Sequence, residues 1–264
     1  MKLATFQVPG SDAGPLAGVL EGERLRVFAE GVDAVREVIA GQRAADGQLG
    51  HYELDAVELL APIANPGTVY AIGLNYADHV AEMGNELPQW PTVFVKVTSS
   101  VTAPGGPVRC PEVVRRLDYE AELVLVIGPD RAIAGYCVAD DVSSRDLQKR
   151  EPHWIRAKGA DTFCPYGPWI TTADELDDDA ANLTIRSWVN GELRQDSNTS
   201  NLVFGPQALV DFISETCTLR PGDLILTGTP GGVGAGMQPP RFLQSGDVVR
   251  VEVERLGAIE HRIA

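Results

Sequence analysis

Three short stretches of this chain carry the residue types that could do chemistry. In DYEAELVLVIG, Glu120 and Glu122 are two apart in an apolar, strand-like run. Both therefore point to one face, which they share with Val124 and Val126. Two carboxylates beside an apolar stripe repel each other and lose hydration unless a cation compensates them. The competing reading is a solvated strand end paired with Arg115 or Arg116. In GYCVADDVSSRDLQ, Asp140 and Asp141 end a second apolar run, where functional loops commonly begin. The same aspartates would also serve as a helix N-cap for the segment starting at Ser143. Carboxylates with no obligatory histidine make an oxygen-ligand site, suited to Mg²⁺ or Mn²⁺ rather than Zn²⁺. In the third stretch, Asn75 to Glu82, an i, i+3 spacing puts His79 and Glu82 on one helix face. There the glutamate can orient the imidazole, which could then activate a water; the alternative is a surface pair.

The elements that must position these residues are mostly strands. LATFQV and PLAGVLEGERLRVF predict strands near the start, and Val32 to Ala40 a helix ending near Gly41. An Ala-, Asp- and Gly-rich loop follows, and APIANPG (61–67) reads as a linker, so residues 1–62 form a small separate unit before a larger domain over 63–264. In that larger part VYAIGL and TVFVKV predict strands on either side of the helical NYADHVAEMG. Asp118 to Val126 predicts one longer strand. AGYCVADDVSS contains another strand before RDLQKRE turns helical, and YGPWITT adds one more. LTIRSWVNGELRQD predicts a hairpin on an Asn190-Gly191 turn. Phe204 to Thr216 has helical spacing after Pro206, and DLILTG and DVVRVEVERL close the chain as strands. Short helices among many strands predict a curled, mostly β (α+β) core rather than a doubly wound sheet.

Composition excludes several partners. A formal net charge of −15 argues against nucleic acid and anionic membrane surfaces, whose binding needs clustered Lys and Arg. It does not forbid an anionic substrate, because a metal and a few cations can make a local positive site. No apolar run reaches the length of a membrane span and no signal peptide is read, so a cytoplasmic protein is expected. Cys110, Cys137, Cys164 and Cys217 are widely spaced, as free thiols in a reducing compartment would be. The glycine-rich loop 228–236 lacks both the GK[ST] ending of a P-loop and a following helix, so neither ATP nor NAD is implied.

Taken in order, GLNYADHVAE, TVFVKV, DYEAEL, GYCVADDVSSRDLQ, AKGADTFCPYGPW, VNGELRQDSNTS and LTGTPGGVG resemble the fumarylacetoacetate hydrolase family over residues 65–264. The resemblance implies a distorted, mixed β-barrel or roll behind a small N-terminal α+β domain, commonly assembled as a homodimer. It implies Glu120, Glu122 and Asp141 as metal ligands, with His79 and Glu82 as a water-activating pair on a segment that orders over the substrate. Arg145, Gln148 and Lys158 would line the pocket, with Lys158 assisting catalysis, and Thr229 would contact a substrate carboxylate; Gln195 and Thr199 fall in a stretch near it. Where the family usually has Gly-Lys-Ser-Phe-Asp, this chain has Ala157-Lys158-Gly159-Ala160-Asp161, and Asp146 to Trp154 is unusually charged.

The chemistry expected first is metal-dependent hydrolysis of a C–C bond in an acylpyruvate-like 2,4-dioxo acid, releasing pyruvate and a carboxylate. The same enolate machinery also serves isomerisation of unsaturated dioxo acids and decarboxylation of oxaloacetate-like acids. A non-catalytic binding protein is the remaining alternative.

Overall fold

The computed structural model describes residues 1–176, 178 and 180–264. Residues 1–60 form β1 (Lys2–Gln7), β2 (Leu16–Glu21), β3 (Arg24–Glu30), α1 (Ala34–Ile39), β4 (Gly50–Glu53) and β5 (Glu58–Leu60). Then come β6 (Val69–Gly73), α2 (Ala77–Glu82), β7 (Thr92–Lys96), β8 (Val101–Thr102), β9 (Leu117–Asp118) and β10 (Ala121–Ile127). β11 (Ile133–Asp140), β12 (Ser143–Ser144), α3 (Arg145–Arg150), α4 (Ile155–Lys158) and β13 (Cys164–Thr172) complete the middle. The last part holds β14 (Thr184–Val189), β15 (Glu192–Asn198), α5 (Pro206–Ser214), β16 (Leu224–Leu226), β17 (Val248–Val253) and β18 (Gly257–Arg262).

The chain is mostly β, as its pattern predicts. A large mixed sheet runs β4-β3-β2-β1-β13-β11-β10-β16-β6-β7, with β5 beside β1 and β8 beside β13. A second sheet runs β15-β14-β17-β18. β10 is buried along its whole length, which is why its sequence is a continuous apolar run rather than an alternating one. Leu123, Leu125 and Ile127 pack with Ile185, Val249 and Val251 of the second sheet. Val124 and Val126, on the opposite face, pack with Leu3, Val19 and Val35 of the N-terminal residues.

Those N-terminal strands extend the main sheet, since β1 pairs with β13 through Lys2↔Thr171 and Leu3↔Ile170. Two stretches differ from the sequence expectation. The loop expected after α1 contains β4 and β5, whose half-exposed edge positions carry too little apolar signal to stand out. Residues 61–67 are no free linker: Ala61 and Ile63 are buried in the core, and the Tyr166 hydroxyl donates to the Ile63 carbonyl at 2.6 Å. At Asn190-Gly191 both residues have positive φ, 52° and 78°, as a two-residue hairpin turn requires. β18 folds back on β17 beyond the point where the last strand was expected to end.

The strand expected over Asp118 to Val126 is interrupted. β9 pairs with β12 and ends at Asp118, whereas β10 starts at Ala121 and pairs with β11. The Glu120 N–H instead donates to the Asp140 side chain at 2.7 Å. The Glu120 carbonyl accepts from the Asp141 N–H at 2.9 Å.

Candidate active site

Three carboxylates lie together where β10 begins and β11 ends. Glu120, Glu122 and Asp141 are all buried, and one carboxylate oxygen from each lies within 4.8 Å of the others. Glu122 projects from β10 and accepts from the Gly228 N–H at 2.6 Å. Gly228 has φ +101°, and a Cβ there would meet the Asn75 Cβ at 2.9 Å, so the backbone reaches Glu122 only because no side chain intervenes. Asp141 lies one residue past β11, where its carboxylate meets Lys96 Nζ at 2.5 Å and Lys158 Nζ at 2.7 Å. Lys158 also reaches Glu120 Oε2 at 2.6 Å, and Arg145 Nη1 reaches Glu120 Oε1 at 2.6 Å.

These contacts divide the glutamates electrically. Burial pushes the Glu120 carboxyl upward, but Lys158 and Arg145 outweigh it and bring it down to about 2. Burial together with Asp141 and Glu120 pushes Glu122 well above the usual carboxylate range. Among the described residues Glu122 has no ion-pair partner, so its charge calls for a proton or a cation. Burial would lower Lys158, yet Asp141 and Glu120 raise it, so the ammonium stays charged. Three clustered carboxylates, one of them uncompensated, fit a hard divalent cation with oxygen preference.

His79 and Glu82 share one face of α2, as their spacing predicts. His79 Nδ1 lies 3.1 Å from Glu82 Oε2, and Glu82 Oε1 accepts from the Gly232 N–H at 2.9 Å. The start of α2 is anchored as well. The Asn75 side chain donates to the Thr227 and Phe204 carbonyls at 2.8 and 3.0 Å, and Asp78 accepts from Ser197 Oγ at 2.5 Å. Arg145 spans Asp118 and Glu120, donates to Gln148 Oε1 at 3.0 Å, and leaves Nη2 buried without a protein partner. Thr229 Oγ1 accepts from Gln195 Nε2 at 2.8 Å. Gln195 Oε1 in turn accepts from the Ala121 N–H at 3.0 Å.

One cavity of about 490 Å³ is lined by His79, Glu120, Arg145, Gln148, Lys158 and Thr229. Phe94, Trp154 and Phe242 supply apolar wall, and Arg116 and Lys149 stand at its exposed mouth. Glu120 is the only acid among the lining residues, which include four cations. A protein of net charge −15 thus holds a positively lined cavity. Gln195 is buried behind Thr229, and Thr199 spans the Leu183 N–H and the Ala180 carbonyl away from the cavity.

Two residues escape the sequence reading. Lys96 is fully buried against Asp141, and its only signal is a lysine inside the apolar run TVFVKV. Asp118 is a buried hub that accepts from Arg145 and from the Gly234 and Ala235 N–H groups at 2.8 and 3.0 Å. The Gly228, Gly231, Gly232, Gly234 and Ala235 amides of loop 228–236 donate to the protein's own carboxylates.

A sequence model of the fumarylacetoacetate (FAA) hydrolase C-terminal region matches residues 68–264. The chain belongs to the fumarylacetoacetate hydrolase family. It is 46% identical over 219 residues to oxaloacetate tautomerase fahd2, mitochondrial, of Xenopus laevis, covering 78% of this chain and 68% of that protein. Among solved structures it resembles the fumarylacetoacetate hydrolase of Exiguobacterium antarcticum at a TM-score of 0.88 and 36% identity, over 100% of this chain and 99% of the other. The 2-hydroxyhepta-2,4-diene-1,7-dioate isomerase of Mycobacterium marinum aligns at a TM-score of 0.82 and 34% identity, over 100% and 98%. The names of these three relatives are those of a tautomerase, a hydrolase and an isomerase.

Proposed function

We propose that this protein is a divalent-metal-dependent tautomerase or isomerase, moving a proton between carbon and oxygen in a 2-oxo dicarboxylic acid of the oxaloacetate type. The observation that carries the reading is a single cavity lined at once by His79, by Glu120 of the carboxylate cluster, and by Lys158 and Arg145. The activity named for the Xenopus relative supports proton transfer over bond cleavage.

Glu120, Glu122 and Asp141 would hold Mg²⁺ or Mn²⁺, which when bound supplies Lewis-acid polarisation of the 2-oxo group. Arg145 Nη2 and Thr229 bind the adjacent carboxylate, with Gln148 holding the guanidinium in place. Arg116 and Lys149, which have no ion-pair partner among the described residues, receive the second carboxylate at the mouth. Glu82 holds Nδ1 of His79, so Nε2 exchanges the proton at C3. Lys158 stabilises the negative charge that develops on the 2-oxo oxygen.

A second reading keeps hydrolysis of a 2,4-dioxo acid. It is favoured by the apolar wall of Phe94, Trp154 and Phe242, which suits an acyl group, and by the Exiguobacterium relative. We also propose that the chain works as a homodimer in the cytoplasm. Trp90 is 71% exposed near Val93 and Val95 of the edge strand β7 and Val97 just past it, an apolar surface that a second copy would cover. The cysteines are unpaired, as in a reducing compartment, and no helix among the described residues is long and apolar enough to cross a membrane.

The test follows the ultraviolet absorbance of enol-oxaloacetate with Mg²⁺, Mn²⁺ or EDTA, in parallel with acetylpyruvate cleavage. Enol decay faster than the buffer rate, lost in EDTA and in Glu120→Ala, is the expected result. Acetylpyruvate cleavage with no effect on enol decay replaces the proposal with the hydrolase reading.

A further inference from the structure

The interruption between β9 and β10 leaves the Glu120 N–H outside any ladder, yet it is buried and needs an acceptor. The acceptor is Asp140 Oδ1 at 2.7 Å. The other oxygen of Asp140 meets His261 Nε2 at 2.9 Å, and both side chains are 0% exposed. His261 stands near the end of the chain on β18, opposite Val249 of β17. Asp141, the next residue after Asp140, donates its N–H to the Glu120 carbonyl at 2.9 Å. The Glu120 peptide is thus gripped on both sides, and the grip on its nitrogen rests on a histidine of the second sheet.

We propose that Asp140 and His261 form a positioning pair that sets the Glu120 carboxylate for cation binding. Neither residue lines the cavity, so the pair acts through the Glu120 backbone. The geometry is that of a carboxylate fixed by an imidazole and in turn fixing a ligand, where loss of the outer partner typically weakens metal binding about 10–100-fold. Asp140 alone, buried without His261, would be free to rotate away from the Glu120 N–H. Among the described residues His261 Nδ1 is buried with no partner, so the Asp140 contact is the one polar interaction there that orients the ring.

This inference rests on the reading of Glu120 as a metal ligand. The experiment measures Mn²⁺ affinity by titration calorimetry, the melting temperature in EDTA, and kcat and KM on enol-oxaloacetate, for the parent protein, His261→Phe and His261→Gln. Phe fills the ring space without a donor, whereas Gln restores an N–H that can reach Asp140. The expected result is Mn²⁺ binding about tenfold or more weaker in His261→Phe, recovered to within about threefold in His261→Gln. A purely structural role predicts a lower melting temperature in His261→Phe with unchanged Mn²⁺ affinity, and that outcome overturns the proposal. Equal weakening in both variants also overturns it. If His261→Phe does not fold, His261→Thr takes its place: it is compatible with a strand, too short to reach Asp140, and expected to show the same loss. A parent protein that binds no Mn²⁺ removes the metal reading and this inference together, whereas a parent that binds while His261→Phe binds equally well removes this inference alone.

Discussion

At the scale of single residues, the site is organised by an unequal division of charge. Glu120 is satisfied by Lys158 and Arg145, while Glu122 faces two other carboxylates and, among the described residues, accepts only from the Gly228 N–H. Glu122→Gln removes the unmatched charge and one ligand together. We predict that it raises the melting temperature in EDTA while weakening Mn²⁺ binding well beyond tenfold; a variant that binds Mn²⁺ like the parent sinks the ligand assignment. His79 plays a different part, since it lines the cavity but stands outside the carboxylate cluster. His79→Ala is expected to lower kcat/KM by about 10²–10⁴ and to leave the Mn²⁺ dissociation constant within about twofold, read by steady-state kinetics and calorimetry. A comparable loss of Mn²⁺ affinity would remove the proton-transfer role.

At the scale of elements, loop 228–236 ties the two halves of the site together. Its amides serve Glu122, Glu82 and Asp118, so the loop fixes the carboxylate cluster, the histidine pair and Arg145 at once. Gly228→Ala forces a side chain into a left-handed conformation and against Asn75. The expected cost is about 1–2 kcal/mol, seen as a fall of roughly 2–8 °C in melting temperature, with weaker Mn²⁺ binding. Unchanged stability and affinity would show that the loop backbone is not the constraint described here.

At the scale of the whole molecule, two consequences follow from burial. The N-terminal residues cover Val124 and Val126 of β10, the strand that carries Glu122. A fragment lacking residues 1–60 is expected to aggregate, and a soluble fragment with a cooperative melt would refute that dependence. The second concerns pH. In the metal-free protein Glu122 is raised, so above the ordinary carboxylate pKa the unfolded chain has released a proton that the folded chain still holds. Stability must therefore fall as pH rises through that window. Glu120, lowered to about 2, contributes stability that is lost only under strongly acidic conditions. Melting in EDTA from pH 5 to 8 should show the decline, Mn²⁺ should offset it more at higher pH, and Glu122→Gln should flatten it; a melting temperature that rises with pH in EDTA contradicts the mechanism.

The sequence by itself determined the mostly β character, because period-two runs, turn residues and short helical segments are local signals. It also determined that His79 and Glu82 share a helix face, which follows from the backbone period; Glu120 and Glu122 come together although Glu120 lies outside β10. The tertiary structure decided what these groups meet. Lys96 and Asp118 enter the site through neighbours far away in the chain, and His261 lies 121 residues from its partner Asp140. No local pattern encodes such pairings. The break at Tyr119–Glu120 was hidden for the same reason: the acceptor that replaces the ladder is a side chain on another strand. Spacing along the chain states which groups point together, whereas only packing states which opposite charge, amide or apolar wall stands across from them.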